Sequence, residues 1–208
     1  MSPRPAKTSR DQIVRAAVAM LDDVGPDAFS MRGLATGLGI DPMTLYHHLP
    51  SKSALLDAVL DELWGGVTLH APSPGEGWAP VVTDLAYGLR RVLLDHPTLV
   101  AVVASRPATT PALLLALDRV LGWLVQEGLA PADALRLLDC VVGYVIGKVQ
   151  QEVRPPELGA DLPPEELGLV AQTHPHLVSA LASGYDWAPE HEFHLGLAAM
   201  LRGWVPDR

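Results

Sequence analysis

Apolar residues recur at helical spacing along almost the whole chain, and proline and glycine cut the pattern into pieces. From Ser9 to about Val24, the residues Ile13, Ala16, Ala17, Met20 and Leu21 form one stripe, and Gly25-Pro26 ends it. A second helix starts on Ser30 as N-cap, carries Leu34, Ala35 and Leu38, and stops at Gly37 and Gly39. Asp41 caps a third, Pro42 suits its first position, and Pro50 limits it to about two turns. Ser51 caps a longer helix, running from Ser53 to about Val67 with Leu55, Leu56, Val59, Leu60 and Leu63 apolar. After a Pro/Gly-rich break over 71–80, helical patterns resume at 78–95, 98–105, 109–128, 131–153, 163–182 and 189–203. No alternating strand pattern competes. The spacing predicts an all-α chain: a three-helix N-terminal domain over 1–52, a connecting helix over 53–70 and a helical bundle over 71–208.

The second and third helices, joined by a glycine turn, read as a helix-turn-helix, whose second helix enters a DNA major groove. Leu45 and Leu49, four apart, dock that short helix on its neighbours. Pro42, Met43, Thr44, Tyr46, His47 and His48 are left facing outward. Hydroxyls, imidazoles and a phenol suit groove edges and phosphates, and an exposed methionine suits a thymine methyl.

Composition narrows the class. The 208 residues are 49% hydrophobic and 19% charged, which is globular. A single cysteine, Cys140, permits no internal disulfide, and no apolar run approaches the ~20 residues that span a bilayer. With a polar start, the expectation is a cytoplasmic protein without a membrane partner. The net charge of −9 argues at first against nucleic acid, but residues 1–52 carry +1 and the remainder −10. Repulsion is confined to the C-terminal part, and base-edge and hydrogen-bond contacts must then matter more than usual. Arg4, Lys7 and Arg10 form either an arm that reaches phosphate or the minor groove, or a solvated tail.

Residues 10–64 resemble the N-terminal domain of TetR-family transcriptional repressors. The resemblance lies in Phe29-Ser30-Met31-Arg32-Gly33-Leu34-Ala35, Leu38-Gly39-Ile40, Thr44-Leu45-Tyr46-His47-His48-Leu49 and Ser51-Lys52-Ser53-Ala54-Leu55-Leu56-Asp57. The run Phe193 to Gly203 is similar, less specifically, to the last helix of the tetracycline-repressor branch. The resemblance implies a homodimeric repressor on a palindromic double-stranded operator, and the surplus of apolar helix with scattered polar groups over 80–180 adds the expectation of a small apolar or amphipathic effector that releases it. It matches Tyr46 to a phosphate-binding tyrosine, and Arg32 to a position that reads a base edge in some relatives; a phosphate contact alone is the alternative. The candidate DNA-contacting set is Ser30, Met31, Arg32, Pro42, Met43, Thr44, Tyr46, His47, His48 and Lys52. The chain departs from many relatives in having no lysine or arginine within 41–49.

Further candidates lie in the bundle. Arg136, Cys140, Gly143 and Gly147 share a stripe on 131–153, as do Phe193, Leu197 and Leu201 on 189–203. Such a pair from each of two subunits would form a four-helix interface, the arrangement the resemblance also implies; the alternative buries both stripes within one subunit. Aromatic and polar candidates for an effector cavity are Trp64, Tyr87, Arg91, Trp123, Asp139, Tyr144, Lys148, His174 and Trp187. Glu190-His191-Glu192-Phe193-His194, with His174-Pro175-His176, invites a metal reading, but a polar helix start explains it, so neither metal nor cofactor is expected. No nucleophile-and-base arrangement or phosphate-cradling glycine motif is present. The reading is therefore an effector-released repressor and not an enzyme. A small-molecule binding or modifying protein with a vestigial helix-turn-helix is the alternative.

Overall fold

The computed structural model describes residues 8–73, 75–106, 110–154, 172–185 and 188–204. Among these, ten α-helices and one 3-10 turn, Pro97–Leu99, occur without a strand. In order they are α1 (Arg10–Ala28), α2 (Met31–Leu38), α3 (Pro42–His48), α4 (Lys52–Gly65), α5 (Ala79–Asp95), α6 (Val100–Ser105), α7 (Pro111–Gln126), α8 (Pro131–Val153), α9 (Pro175–Ala182) and α10 (Pro189–Gly203). Arg4 and Lys7 of the N-terminal arm, residues 163–171 of one expected helix, and Trp187 lie outside the described residues.

The N-terminal helices begin where side chains satisfy free amides. Ser9 and Gln12 form a capping box on α1, Ser30 Oγ accepts from Gly33 N at 3.1 Å, Asp41 Oδ1 from Met43 N at 2.7 Å, and Ser51 Oγ from Ala54 N at 3.0 Å. The turn between α2 and α3 needs glycine: Gly39 has φ 64° and ψ 29°, while Ile40 N closes back on Ala35 O at 3.0 Å. One boundary differs from expectation. Gly25 breaks α1 with φ 75°, but the backbone resumes one more turn from Pro26 to Ala28, because proline suits a first helical turn.

A continuous core runs from Ile13 in α1 to Leu197 in α10. In the bundle α5 lies along α8, burying Leu85 and Leu89 with Val141, Val145 and Val149. The last helix, α10, packs against α8 and touches α5 through Tyr87, and there the expected interface is corrected. Phe193 and Leu197 are buried inside the subunit, Phe193 with its ring 5.3 Å from Tyr87 and 5.5 Å from Tyr144. Leu201 is half-buried against the same core. Periodicity identifies an apolar stripe but not which neighbour covers it. The α8 stripe differs: Arg136, Cys140, Gly143 and Gly147 are all exposed, beside Leu135 at 53% exposure. Among the described residues, no heavy atom outside the local helix would meet a Cβ added at Gly143 or Gly147.

Candidate nucleic-acid interface and its coupling to the bundle

With seven residues, α3 closes too few hydrogen bonds to stand alone, and it is pinned by Leu45, fully buried, and by Leu49 just beyond its end. Burying one such leucine contributes about 1.5–3 kcal/mol. Everything else on it faces out: Pro42, Thr44 and His47 are exposed, Met43 is 75% exposed and Tyr46 43%, and His48 is half-buried. Arg32, on α2, is exposed on the same domain.

Three members of the expected set have internal roles. Met31 is buried in the core, which removes it from any DNA-contacting surface. Ser30 is occupied as an N-cap. Lys52 Nζ donates to Pro26 O at 3.1 Å and Phe29 O at 3.0 Å and sits 5.4 Å from the Phe29 ring centroid, so it fastens the start of α4 to the α1–α2 junction. One of its three N–H donors remains for another partner.

Polar clasps tie this domain to the bundle. His96 Nδ1 lies 2.8 Å from Asp22 Oδ2, and Thr98 Oγ1 donates to Leu21 O at 3.0 Å, joining the end of α5 to α1. Arg106, just after α6, donates from Nε to Asp57 Oδ1 at 3.0 Å and from Nη2 to Ser53 Oγ at 2.7 Å. Asp61 Oδ1 accepts from Ala112 N at 2.6 Å, capping α7 from α4. Apart from these, α4 is held by buried Leu55, Val59, Leu60, Leu63 and Trp64.

The bundle offers open grooves. One of about 690 Å³ lies between α5, α8 and α10, where Tyr87, Arg90, Glu152, His191 and His194 meet. Across it Tyr87 Oη is 3.0 Å from His194 Nδ1, and Arg90 Nη2 bonds both Glu152 oxygens at 2.7 and 2.9 Å. A neighbouring hollow of about 420 Å³ shares Tyr87 and Arg90 and adds His70, Asp84 and Arg91. Both volumes fall in the range of small-molecule sites.

Of the expected effector residues, only Tyr87 and Arg91 line these grooves. Trp64 is buried, Trp123 is packed on the core, Asp139 is exposed on α8, and His174 is exposed just before α9. Tyr144 donates to the carbonyls of Glu192 and Phe193 at 3.2 and 2.9 Å, and burial pushes its phenol above the usual value. Lys148 Nζ lies 2.8 Å from Glu192 Oε2; this contact first, then the Tyr185 hydroxyl, holds the Glu192 carboxyl below the usual range. These two are fasteners between α8 and α10. Among the described residues, no group of three or more His, Cys, Asp or Glu side chains is placed to hold a metal ion, and no helix is long and apolar enough to cross a membrane.

Comparison with known proteins agrees with this geometry. Residues 71–205 match the family described as "Tetracyclin repressor-like, C-terminal domain", and residues 13–59 match "Bacterial regulatory proteins, tetR family". The chain belongs to the TetR family. A "HTH-type transcriptional regulator" of Saccharopolyspora erythraea is 39% identical, over 72% of this chain and 66% of the relative. "HTH-type transcriptional repressor DrrR1" of Streptomyces coeruleorubidus is 30% identical, over 73% of this chain and 56% of the relative. The chain thus spans a little over half to about two thirds of these curated relatives. The crystal structure of the TetR-family protein ActR of Streptomyces coelicolor, in complex with (S)-DNPA, superposes with a TM-score of 0.83 at 29% identity, covering 96% of this chain and 98% of that one.

Within this TetR-family fold, sequence reasoning missed the clasps Asp22–His96 and Arg106–Asp57, and the Arg90–Glu152 pair. Their partners stand 49 to 74 residues apart, so no local pattern signals them. The proline after His96 marked only a turn.

Proposed function

We propose that the protein is an effector-released transcriptional repressor, acting as a homodimer on a palindromic operator. The observation that carries the reading is the exposure of α3: one buried leucine holds it, and Met43, Thr44, Tyr46 and His47 stand free on its outer face. Tyr46 and His48 contact phosphates, Arg32 and Thr44 read base edges, and Met43 meets a thymine methyl. The exposed Arg136, Cys140, Gly143 and Gly147 stripe supports pairing of α8 with a second copy, since small residues let helices approach closely. Two α3 helices then reach successive major grooves about one helical turn apart.

The effector is a small amphipathic molecule seated beside Tyr87 and Arg90, an aromatic face and a cation on one groove. Movement of α5 there reaches the N-terminal domain through His96 and Thr98, and α4 is tied to the bundle by Arg106 on Asp57 and by Ala112 N on Asp61. A typical coupling of about 1–3 kcal/mol corresponds to a 5- to 150-fold loss of DNA affinity. The test is a mobility-shift titration on DNA flanking the chain's own gene, repeated with any ligand found by thermal-shift screening. Retarded DNA that the ligand releases is expected; DNA left free at every concentration contradicts the reading.

A further inference from the structure

The outward face of α3 carries its only cations in titratable form. Residues 41–49 contain no lysine or arginine, yet His47 and His48 occupy the last turn, where helix geometry favours positive charge. Their rings stand 5.8 Å apart at 72°. His47 is exposed and His48 half-buried, and among the described residues neither ring has an ion-pair or hydrogen-bond partner. The charged groups on the elements around them are few. Arg32 lies on α2; Asp41, at the far end of α3, is occupied by Met43 N; and Lys52, at the start of α4, is engaged by two carbonyls. Among the described residues no carboxylate is paired with either imidazole.

We propose that DNA binding by this chain is linked to protonation of His47 and His48, a step that rests on α3 being the DNA-contacting helix. A neutral imidazole offers phosphate one weak donor, and an imidazolium offers two donors and a charge. The phosphate polyanion therefore stabilises the protonated ring, so the complex binds more protons than the separated partners. By linkage, affinity rises as pH falls through the imidazole range. Repulsion between the two rings, 5.8 Å apart, makes the second protonation less favourable than the first, so each ring contributes part of the uptake. The other six histidines, His70, His96, His174, His176, His191 and His194, lie off α3, and His96 and His70 already face carboxylates at 2.8 and 3.2 Å.

The test measures affinity for a random-sequence duplex and for the DNA flanking the gene, at pH 6, 7 and 8, with wild type, His47→Gln/His48→Gln, His47→Gln alone and His96→Gln. Wild-type binding is expected to tighten about fivefold to tenfold from pH 8 to pH 6, with a salt slope steeper by about 0.9 at the lower pH. The double variant should lose that response, the single variant should lose part of it, and His96→Gln should keep it. A wild type that binds equally at pH 6 and pH 8 overturns the linkage, as does a double variant with the full response. The single variant, changed only at an exposed position, decides the matter if the double variant does not fold. Absence of DNA binding at every pH overturns the DNA reading itself, which separates the two failures.

Discussion

The imidazole of His96, at the end of α5, faces the carboxylate of Asp22 on α1 at 2.8 Å, and this pair joins the helix that walls the proposed effector groove to the helix-turn-helix domain. Asp22 is 30% exposed at its side chain and His96 26%, so the contact is screened less than a surface pair. Asp22→Ala is expected to lower unfolding stability by about 1 kcal/mol. It should also shrink the effect of a bound ligand on DNA affinity, measured as the ratio of affinities with and without ligand. An unchanged ratio contradicts a path through His96.

Lys52 predicts a different signature from Tyr46. Lys52→Gln removes two bonds to the α1–α2 junction, so DNA affinity should fall together with the unfolding midpoint, while the salt slope changes by less than a full phosphate contact, about 0.9. Tyr46→Phe should weaken binding to all sequences equally and leave stability unchanged. A Lys52→Gln slope reduced by a whole contact, with normal stability, would assign the ammonium to phosphate.

Arg32→Ala should cost about 1–3 kcal/mol at one base pair and relax specificity there, if its guanidinium forks onto a guanine edge. Binding measured on a set of single-base operator variants checks this. Equal losses on specific and random DNA contradict base reading.

The glycines separate packing inside the subunit from packing between copies. A Cβ at Gly196 would run into the Tyr144 phenol, so Gly196→Ala is expected to destabilise the monomer by about 1–3 kcal/mol. Gly143 has open space around it, so Gly143→Leu should leave monomer stability intact and weaken association, read by sedimentation at several concentrations. A fully dimeric Gly143→Leu protein removes the α8 stripe from the interface.

Glu192 makes stability acid-sensitive. Lys148 and Tyr185 hold its folded-state carboxyl below the usual range, so its contribution is present above the unfolded carboxylate pKa and disappears as pH falls through the folded value. Unfolding midpoints from about pH 5 down to pH 3 should therefore fall more steeply for wild type than for Glu192→Gln. Parallel curves contradict the assignment.

Much of this was legible in the sequence where the signal is local. Ser9, Ser30, Asp41 and Ser51 announce their helices because a cap and its amides lie within three residues. Leu45 and Leu49 read correctly as docking residues because a seven-residue helix has few other ways to be held. Phe193 shows where such reading ends: its stripe is real, but Tyr87 and Tyr144, which cover it, lie 106 and 49 positions away along the chain. Met31 fell in the wrong set because a helix start beside exposed Arg32 carries no sign of which face meets α1. Arg90, Glu152 and His191 were not legible as groove residues at all, since three helices make the groove and no spacing encodes it.

The central claim is that α3 reads DNA as part of a symmetric dimer. Footprinting the wild-type protein on the DNA flanking its own gene, beside Thr44→Ala, tests it most directly. Two protected half-sites on one face of the duplex, about one helical turn apart, are expected, with that protection lost in Thr44→Ala at the same concentration. Protection without two-fold spacing, or an unchanged footprint in the variant, would contradict it.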